Sequence, residues 1–271
     1  MAVYVPPASS VGVLTLGKVI KPSATLDHLV RLLNTVRGTD KVLMFVQYFC
    51  KILVWFAQKK QRRPIPVDKA APALDLAQHL RNLSSPVSDF RILLRYYGLL
   101  PMLQYMSSVE RTASPSKWHL DLIRLQNLSM LLYYPMEHIY WLGAHRIIPL
   151  SEQKSNKIAM WSCRFWAAYV VLEFARLAEE WRLLKVKEVT IQKKIKRDLL
   201  QTDKGETKEK VLGELEAAKM RTKIGTIVNA AYLPLTVHWS LEQSSFPDVA
   251  VGVCGTLAAI GQLMTAWWDT A

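Results

Sequence analysis

The segment that most restricts the fold is VAVGVCGTLAAIGQLMTAWW at 249–268, because its 20 residues carry no formal charge. At about 1.5 Å per residue, an α-helix of this length covers a hydrocarbon core of about 30 Å. IGTIVNAAYLPLTVHWSL at 224–241 is also uncharged when His238 is neutral, but its 18 residues and central Pro234 make it a marginal span. Residues 224–271 are therefore predicted as a hydrophobic hairpin that crosses or dips into a membrane. A buried hairpin in a soluble bundle is the alternative.

Small side chains and flanking charge add detail to this hairpin. Close helix contacts in lipid need small residues at the interface, and four residues are predicted to provide them: Gly252, Gly255, Ala259 and Ala266. Lys and Arg outnumber Asp and Glu in the stretch that precedes the hairpin. Basic segments stay on the cytosolic side of membranes, so both termini are predicted to face the cytosol.

The rest of the chain is also predicted to be helical, since apolar residues recur with helical spacing and most Gly and Pro residues lie at joints. No internal repeat is visible. The fold class is therefore all-α, a membrane-associated helical bundle with an interfacial amphipathic helix and a C-terminal hydrophobic hairpin. We divide the chain into an irregular N-terminal arm (1–22), a helical region (23–181), a charged helical stretch (182–223) and the hairpin (224–271).

An amphipathic helix is predicted over residues 70–95. Its apolar residues alternate spacings of four and three and so form one stripe: Leu76, Leu80, Leu83, Val87, Phe90 and Leu94. Pro86 interrupts the stripe and could split the helix in two. Burying the six side chains would contribute on the order of 10 kcal/mol. A short helix needs such a surface to fold against, and the protein core, a second helix and a lipid surface all remain open.

The net charge points to an anionic partner. The formal charge is +13, the pI is about 9.7 and the mean hydropathy is +0.09. Nucleic acid and acidic lipid both fit a basic protein, but the basic residues in 182–223 are interleaved with acids, and no nucleic-acid motif appears. An acidic membrane surface explains the charge and the apolar stripe together, so no nucleic-acid partner is predicted.

Catalytic chemistry is not indicated by any motif. The sequence contains no Gly-rich phosphate loop, HExxH, paired CxxC or nucleophile elbow. His138 and His145 could share a helix face beside Glu137, but a metal site would need another ligand, and interfacial histidines are the preferred reading. We predict no enzyme activity, no catalytic residue, no metal and no cofactor.

Several blocks resemble the peroxisomal biogenesis factor 11 (peroxin-11) family. The first block, 25–56, contains a short helix followed by the family's joint and its Gln-Tyr pair, here Gly38, Asp40, Lys41, Val42, Leu43, Gln47 and Tyr48. Three further blocks follow in family order: FRILLRYYGLLPMLQ (90–104), YYPMEHIYWLGAHRIIPL (133–150) and GVCGTLAAIGQLMTAWWDTA (252–271). The resemblance runs from about residue 25 to the end, and it rests on the ordered set rather than on one motif.

This resemblance implies a peroxisomal membrane protein that binds and curves the membrane and promotes peroxisome elongation, division and proliferation. In the family an amphipathic helix after the first helical pair remodels the membrane, and residues 70–95 match its position. The stripe would insert to headgroup depth as a wedge. Four basic residues would hold acidic lipid: Lys69, Arg81, Arg91 and Arg95. The resemblance also implies homo-oligomers and partners in the division machinery, including a dynamin-type GTPase and its receptor.

Two other functions remain as alternatives. One is a pore-forming channel for small metabolites in the peroxisomal membrane, with four scattered polar residues as lining candidates: Lys51, Arg164, Glu173 and Gln262. The other is a soluble helical scaffold, which carbonate extraction would separate from the membrane. Whether the hairpin spans or dips, the oligomer number and any regulation by phosphorylation near SSPVS are left open by the sequence.

Overall fold

A computed structural model of the protein describes residues 21–61, 71–196 and 208–271. Within these ranges the secondary structure is helical, which confirms the all-α fold class. Eight α-helices and a short 3₁₀ turn, Arg95–Gly98, make up the described part: α1 Ala24–Leu33, α2 Val36–Gln61, α3 Ala71–Leu94, α4 Leu99–Arg111, α5 Lys117–Ala144, α6 Glu152–Lys196, α7 Lys208–Ser240 and α8 Asp248–Asp269. Lys69 and most of the predicted arm 1–22 lie outside the described residues.

Two helices begin at serine caps. The Ser23 hydroxyl accepts a hydrogen bond from the Leu26 amide at 3.4 Å and starts α1. The Ser116 hydroxyl accepts one from the His119 amide at 3.1 Å and starts α5. Each cap satisfies an amide that has no partner within the first helical turn.

The prolines inside helices do not end them. Pro86 lies within α3, Pro135 within α5 and Pro234 within α7. The expectation that Pro86 splits the amphipathic segment is therefore not met, since α3 continues to Leu94. The packing of α3 along α2 supplies contacts on both sides of the proline, which offset the one backbone hydrogen bond that proline removes. Two of the segment boundaries drawn from the sequence fall inside helices. The boundary between residues 181 and 182 lies within α6, and the one between residues 223 and 224 lies within α7.

Six long helices form a ring in the order α2, α3, α5, α6, α7, α8 and back to α2. Neighbouring helices are antiparallel. In three of the six pairs, two contacts at different heights show this: Asp40–Arg91 and Gln47–Ser88 for α2 and α3, Ser116–Glu179 and Gln126–Glu173 for α5 and α6, and Arg221–Asp269 and Tyr232–Gln262 for α7 and α8. The predicted C-terminal hairpin is the α7–α8 pair, and it packs on α2 as well.

The hydrophobic core lies where α2, α7 and α8 meet. Its buried members are Met44, Tyr48, Ala231, Leu235, Val251, Ala258 and Ala259. Small residues on α8 let the three helices approach closely, so the contact between them is tight. The opposite side of the ring is joined more lightly, by polar contacts between α3 and α5.

Candidate membrane-facing surface and interior cavity

The side of α3 that packs on α2 is built from small and polar residues. Ala77 is fully buried, and the Ser84 hydroxyl donates to the Gln47 carbonyl oxygen at 3.2 Å. About one turn later, the Ser88 hydroxyl accepts from Gln47 Nε2 at 2.7 Å. Small side chains permit close approach of two helices, so α3 is held mainly by short contacts and hydrogen bonds. The larger apolar side chains of α3 are therefore able to contact surfaces other than α2.

The predicted stripe on α3 divides into two rows. Leu76, Leu83 and Phe90 recur every seven residues and remain 52%, 51% and 47% exposed. Leu80, Val87 and Leu94 are half-buried. Leu93, which the sequence reading left out, adds to the exposed row. Leu93 could have been included on the basis of its position three residues after Phe90, because residues i and i+3 share a helix face. The protein therefore covers one edge of the stripe and leaves the other open.

The predicted lipid-binding residues lie in different environments. Arg81 is exposed on α3. Arg91 is instead buried, since its Nε donates to Asp40 Oδ1 at 2.8 Å and its Nη1 to Gln47 Oε1 at 2.6 Å. Lys41 contacts the other oxygen of Asp40 at 2.7 Å. The sequence pattern did not predict this internal network, because its members come from two separate helices.

Arg95 also binds inside the ring. Its guanidinium forms two hydrogen bonds of 2.6 Å with the carboxylate of Glu137 on α5, in the bidentate geometry typical of strong ion pairs. The Tyr133 hydroxyl donates to the same carboxylate at 2.6 Å. Arg91 and Arg95 therefore have internal carboxylate partners, and we leave them out of the lipid-binding residues proposed below.

The four small residues predicted to pack in the hairpin are all buried. A methyl group on Gly255 would lie 2.2–2.5 Å from ring atoms of Tyr48, and one on Gly252 would meet Ile52 and Lys51 at 3.0 and 3.1 Å. Both glycines thus face α2. Gly261 was not among the predicted residues, and it faces α7: a Cβ atom added there would lie 2.4 Å from Val228 Cγ2. α8 has two packing faces, and a single stripe of small residues describes only one.

Apolar side chains cover the outside of the ring. Among the described residues, 35 large hydrophobic side chains are exposed, whereas 19 hydrophobic residues are buried, six of them alanine. One row on α8 consists of Val253, Leu257, Ile260, Met264 and Trp268. Soluble monomers rarely expose contiguous apolar patches beyond a few hundred Å². By length and composition, two of the described helices, α6 and α8, could cross a bilayer.

The interior of the ring is a cavity of about 1510 Å³. Its wall includes the Asp40–Arg91 and Arg95–Glu137 ion pairs and aromatic side chains from several helices, among them Trp166. Two of the four predicted lining candidates, Lys51 and Gln262, are in this wall, and Arg164 and Glu173 are not. Apolar and aromatic groups thus form most of the inner wall, with the two ion pairs as its charged part, and apolar groups also cover the outside.

The histidines considered as metal ligands do not converge. His138 stacks on Tyr96 with ring centroids 3.8 Å apart, and His145 stacks on Trp141 at 4.1 Å. Glu137 binds Arg95. Within the described residues no group of three or more His, Cys, Asp or Glu side chains could hold a metal ion.

An all-helical ring with an apolar outer surface and two helices long and apolar enough to cross a bilayer is typical of the class of α-helical membrane proteins. The chain is a member of the Peroxisomal biogenesis factor 11 (PEX11) family, whose model matches residues 26–267. This match confirms the resemblance seen in the four sequence blocks. Membership makes the chain a peroxisomal membrane protein of peroxisome biogenesis, and the family is a structural one.

Similar curated proteins cover most of the chain. Peroxisomal membrane protein 11C of Homo sapiens is 24% identical over 242 residues, 88% of this chain and 92% of that protein. The Mus musculus protein of the same name is 22% identical over 248 residues, with the same coverage of both chains. An uncharacterized protein of Schizosaccharomyces pombe is 25% identical over 181 residues, 66% of this chain and 72% of its own length. No solved structure matches the chain.

Proposed function

We propose that the protein binds and curves the peroxisomal membrane and so promotes peroxisome elongation, division and proliferation. The observation that carries this proposal is the open row on α3, where Leu76, Leu83 and Phe90 are about half exposed although the helix is packed on α2. Transferring the exposed half of these three side chains to lipid would contribute roughly 3 kcal/mol. Arg81, exposed on the same helix, would pair with acidic headgroups.

The wedge mechanism places a condition on α3. Because α3 is antiparallel to α2, and α2 to α8, the axes of α3 and α8 run in the same direction. A wedge at headgroup depth therefore requires either that α3 separates from α2 or that the ring lies along the leaflet. Separation would exchange the partners of Ser84 and Ser88 for headgroups and water, and it would also break the buried Arg91–Asp40 ion pair.

Orientation and partners are part of the same proposal. The C-terminus lies beside α1, where Arg31 Nε donates to the Thr270 carbonyl oxygen at 3.0 Å, and near the basic stretch, where Arg221 pairs with Asp269 at 2.6 Å. Basic segments favour the cytosol, so this end, with both termini, would face the cytosol. Self-association, and a dynamin-type GTPase with its receptor, are proposed on resemblance alone.

The test is liposome tubulation by the full-length protein, with vesicles that contain or lack acidic lipid. Leu83→Glu and Phe90→Glu should abolish tubulation while the helical circular dichroism signal is kept. Val189→Glu is the matched control, because it also replaces a half-exposed apolar residue by glutamate but lies on α6, away from α3 and Arg81. Tubulation by the two variants at the level of the control would contradict the proposal.

A second candidate function is conduction of small polar metabolites through the ring. The cavity favours it, since its wall runs along α2 from Val36 to Lys51, about 22 Å at the rise of an α-helix. Planar bilayer recordings test it with Gln262→Trp inside the ring and Leu257→Trp on the outer face of α8. The first change should lower conductance and the second should not. Equal conductance for both would exclude this route.

A further inference from the structure

The α6–α7 pair extends past the other helices as a two-helix arm, here defined as residues 182–196 and 208–220. On α6 the arm begins just after the contact with the start of α5, where Ser116 Oγ donates to Glu179 Oε1 at 2.8 Å. On α7 the contact with the end of α8 is the pair Arg221–Asp269. The part of α7 from Arg221 back to Lys208 is about 20 Å long at the helical rise. The arm therefore carries its far end well away from the ring.

The arm is held together by its own contacts. Ile191 and Leu215 are buried, at 6% and 2% exposure. Lys219 on α7 donates to Glu188 on α6 at 2.8 Å and to Glu216 at 3.0 Å. Hydrogen bonds to these two carboxylates raise the pKa of Lys219, so its charge is retained at neutral pH. The two helices therefore form a supported pair, able to hold charges at a fixed distance from the ring.

Charge is distributed unevenly along the arm. It contains nine Lys or Arg residues and four Glu residues. Near the ring, Arg182 and Lys219 are in ion pairs with Glu179, Glu188 and Glu216. The far end has five exposed lysines, none in an ion pair with another described residue: Lys193, Lys194, Lys196, Lys208 and Lys210. Unpaired positive charge therefore exceeds negative charge at the described far end, where Glu209 is the one acidic residue among these lysines.

We propose that these five lysines, the far-end lysines, dock the arm on the acidic headgroups of a second membrane facing the one that holds the ring. The arm continues the axes of α6 and α7, and α7 packs along α8, a candidate span. If α8 crosses the bilayer, the far-end lysines stand about 20 Å from the end of the ring, beyond the Debye length of about 8 Å. Attraction to the ring's own bilayer is therefore screened, and a facing surface is within reach.

The chemistry of the far-end lysines fits a lipid surface. They lie on the exposed sides of two helices rather than around a cavity, so they can meet many headgroups at once but cannot enclose a small ligand. Each lysine near an acidic leaflet adds about a fivefold gain in affinity. The cytosolic leaflets of cell membranes carry acidic phospholipids. The arm would thus connect the peroxisomal membrane to another membrane without a protein partner.

The experiment places the full-length protein in vesicles of phosphatidylcholine alone, so that its own bilayer offers no acidic lipid. Protease cleavage within 182–220 identifies preparations that expose the arm. Protein-free acceptor vesicles contain phosphatidylcholine with or without about 30% phosphatidylserine, and fluorescence cross-correlation measures joint movement of the two vesicle types. We expect association only with acidic acceptors, and its loss when salt is raised from about 50 to 300 mM.

Two double variants separate the far end from the base of the arm. Lys193→Gln with Lys194→Gln should weaken association about 25-fold, whereas Lys185→Gln with Lys187→Gln should change it little, although both remove two exposed, unpaired charges. Circular dichroism checks that each variant keeps its helices. Equal weakening by the two variants would overturn the proposal, because the effect would then follow net charge. Absence of association with acidic acceptors would overturn it too.

Discussion

Gly255 is the position where one added methyl group should disturb the packing of the hairpin most clearly. A Cβ atom there would lie 2.2 Å from Cγ, 2.3 Å from Cδ1 and 2.5 Å from Cδ2 of Tyr48. These are the ring atoms nearest the backbone, and Tyr48 is only 6% exposed, so the ring cannot swing aside. We predict that Gly255→Ala forces α2 and α8 apart.

The size of the effect follows from two opposing terms. Overpacking of a well-packed interface costs about 1–3 kcal/mol. Replacing glycine by alanine inside a helix contributes about 0.8–1.0 kcal/mol in the other direction. Gly213 in α7 supplies the matched control, since nothing lies within 4 Å of a Cβ atom there. Gly213→Ala should therefore stabilise the protein, and the difference between the two variants isolates the packing cost.

Thermal unfolding in detergent, followed by circular dichroism, measures this difference. A gap of 1–3 kcal/mol corresponds to a Tm for Gly255→Ala that is about 2–12 °C below that of Gly213→Ala, at roughly 2–4 °C per kcal/mol for a chain of this size. Tyr48→Leu should reduce the penalty when combined with Gly255→Ala, because the smaller side chain leaves room for the methyl group. Equal Tm values for the two glycine variants would refute the described contact between α2 and α8.

Further predictions concern the internal and surface ion pairs. Arg91→Met should cost about 3 kcal/mol in free energy of unfolding, near the low end for breaking a buried pair because Lys41 still faces Asp40. Arg81→Met, an exposed change on the same helix, should cost under about 0.5 kcal/mol in the same denaturation series. The hydrogen bond from Arg124 lowers the pKa of Glu110, so the stability that Glu110 contributes is present above its ordinary pKa of 4.5 and is lost as pH falls below it. Glu110→Gln should remove this acid-dependent loosening of α4, measured by amide exchange; unchanged pH dependence would contradict it.

Helix content and the small-residue positions could be predicted from the sequence because both depend on local patterns. Apolar spacing fixes which residues share a helix face, and that relation holds whatever the helix packs against. The α7–α8 pair and the burial of Gly252 and Gly255 followed from uncharged length and small side chains. Gly261 was missed because a second packing face becomes visible only when α7 is in place.

The division of the α3 stripe could not be predicted from the pattern alone. Leu80 and Leu83 have the same chemistry and adjacent places in the stripe, yet Leu80 is half-buried and Leu83 is exposed. The direction in which α3 faces is set by Arg91, which meets Asp40 across 51 residues of sequence, and by Gln47 with its two serine partners. A flanking arginine that reads as lipid-binding becomes internal once a carboxylate faces it.

The sequence by itself therefore determined that this chain is helical, basic and rich in apolar helix faces, and the ordered blocks determined its family. Tertiary structure decided which faces are covered, that ion pairs lie inside a ring of helices, and that unpaired lysines stand at the far end of an arm. The physical reason is the distance along the chain over which each interaction acts. Helix periodicity acts over three or four residues, whereas burial and ion pairing depend on groups brought together from distant parts of the chain.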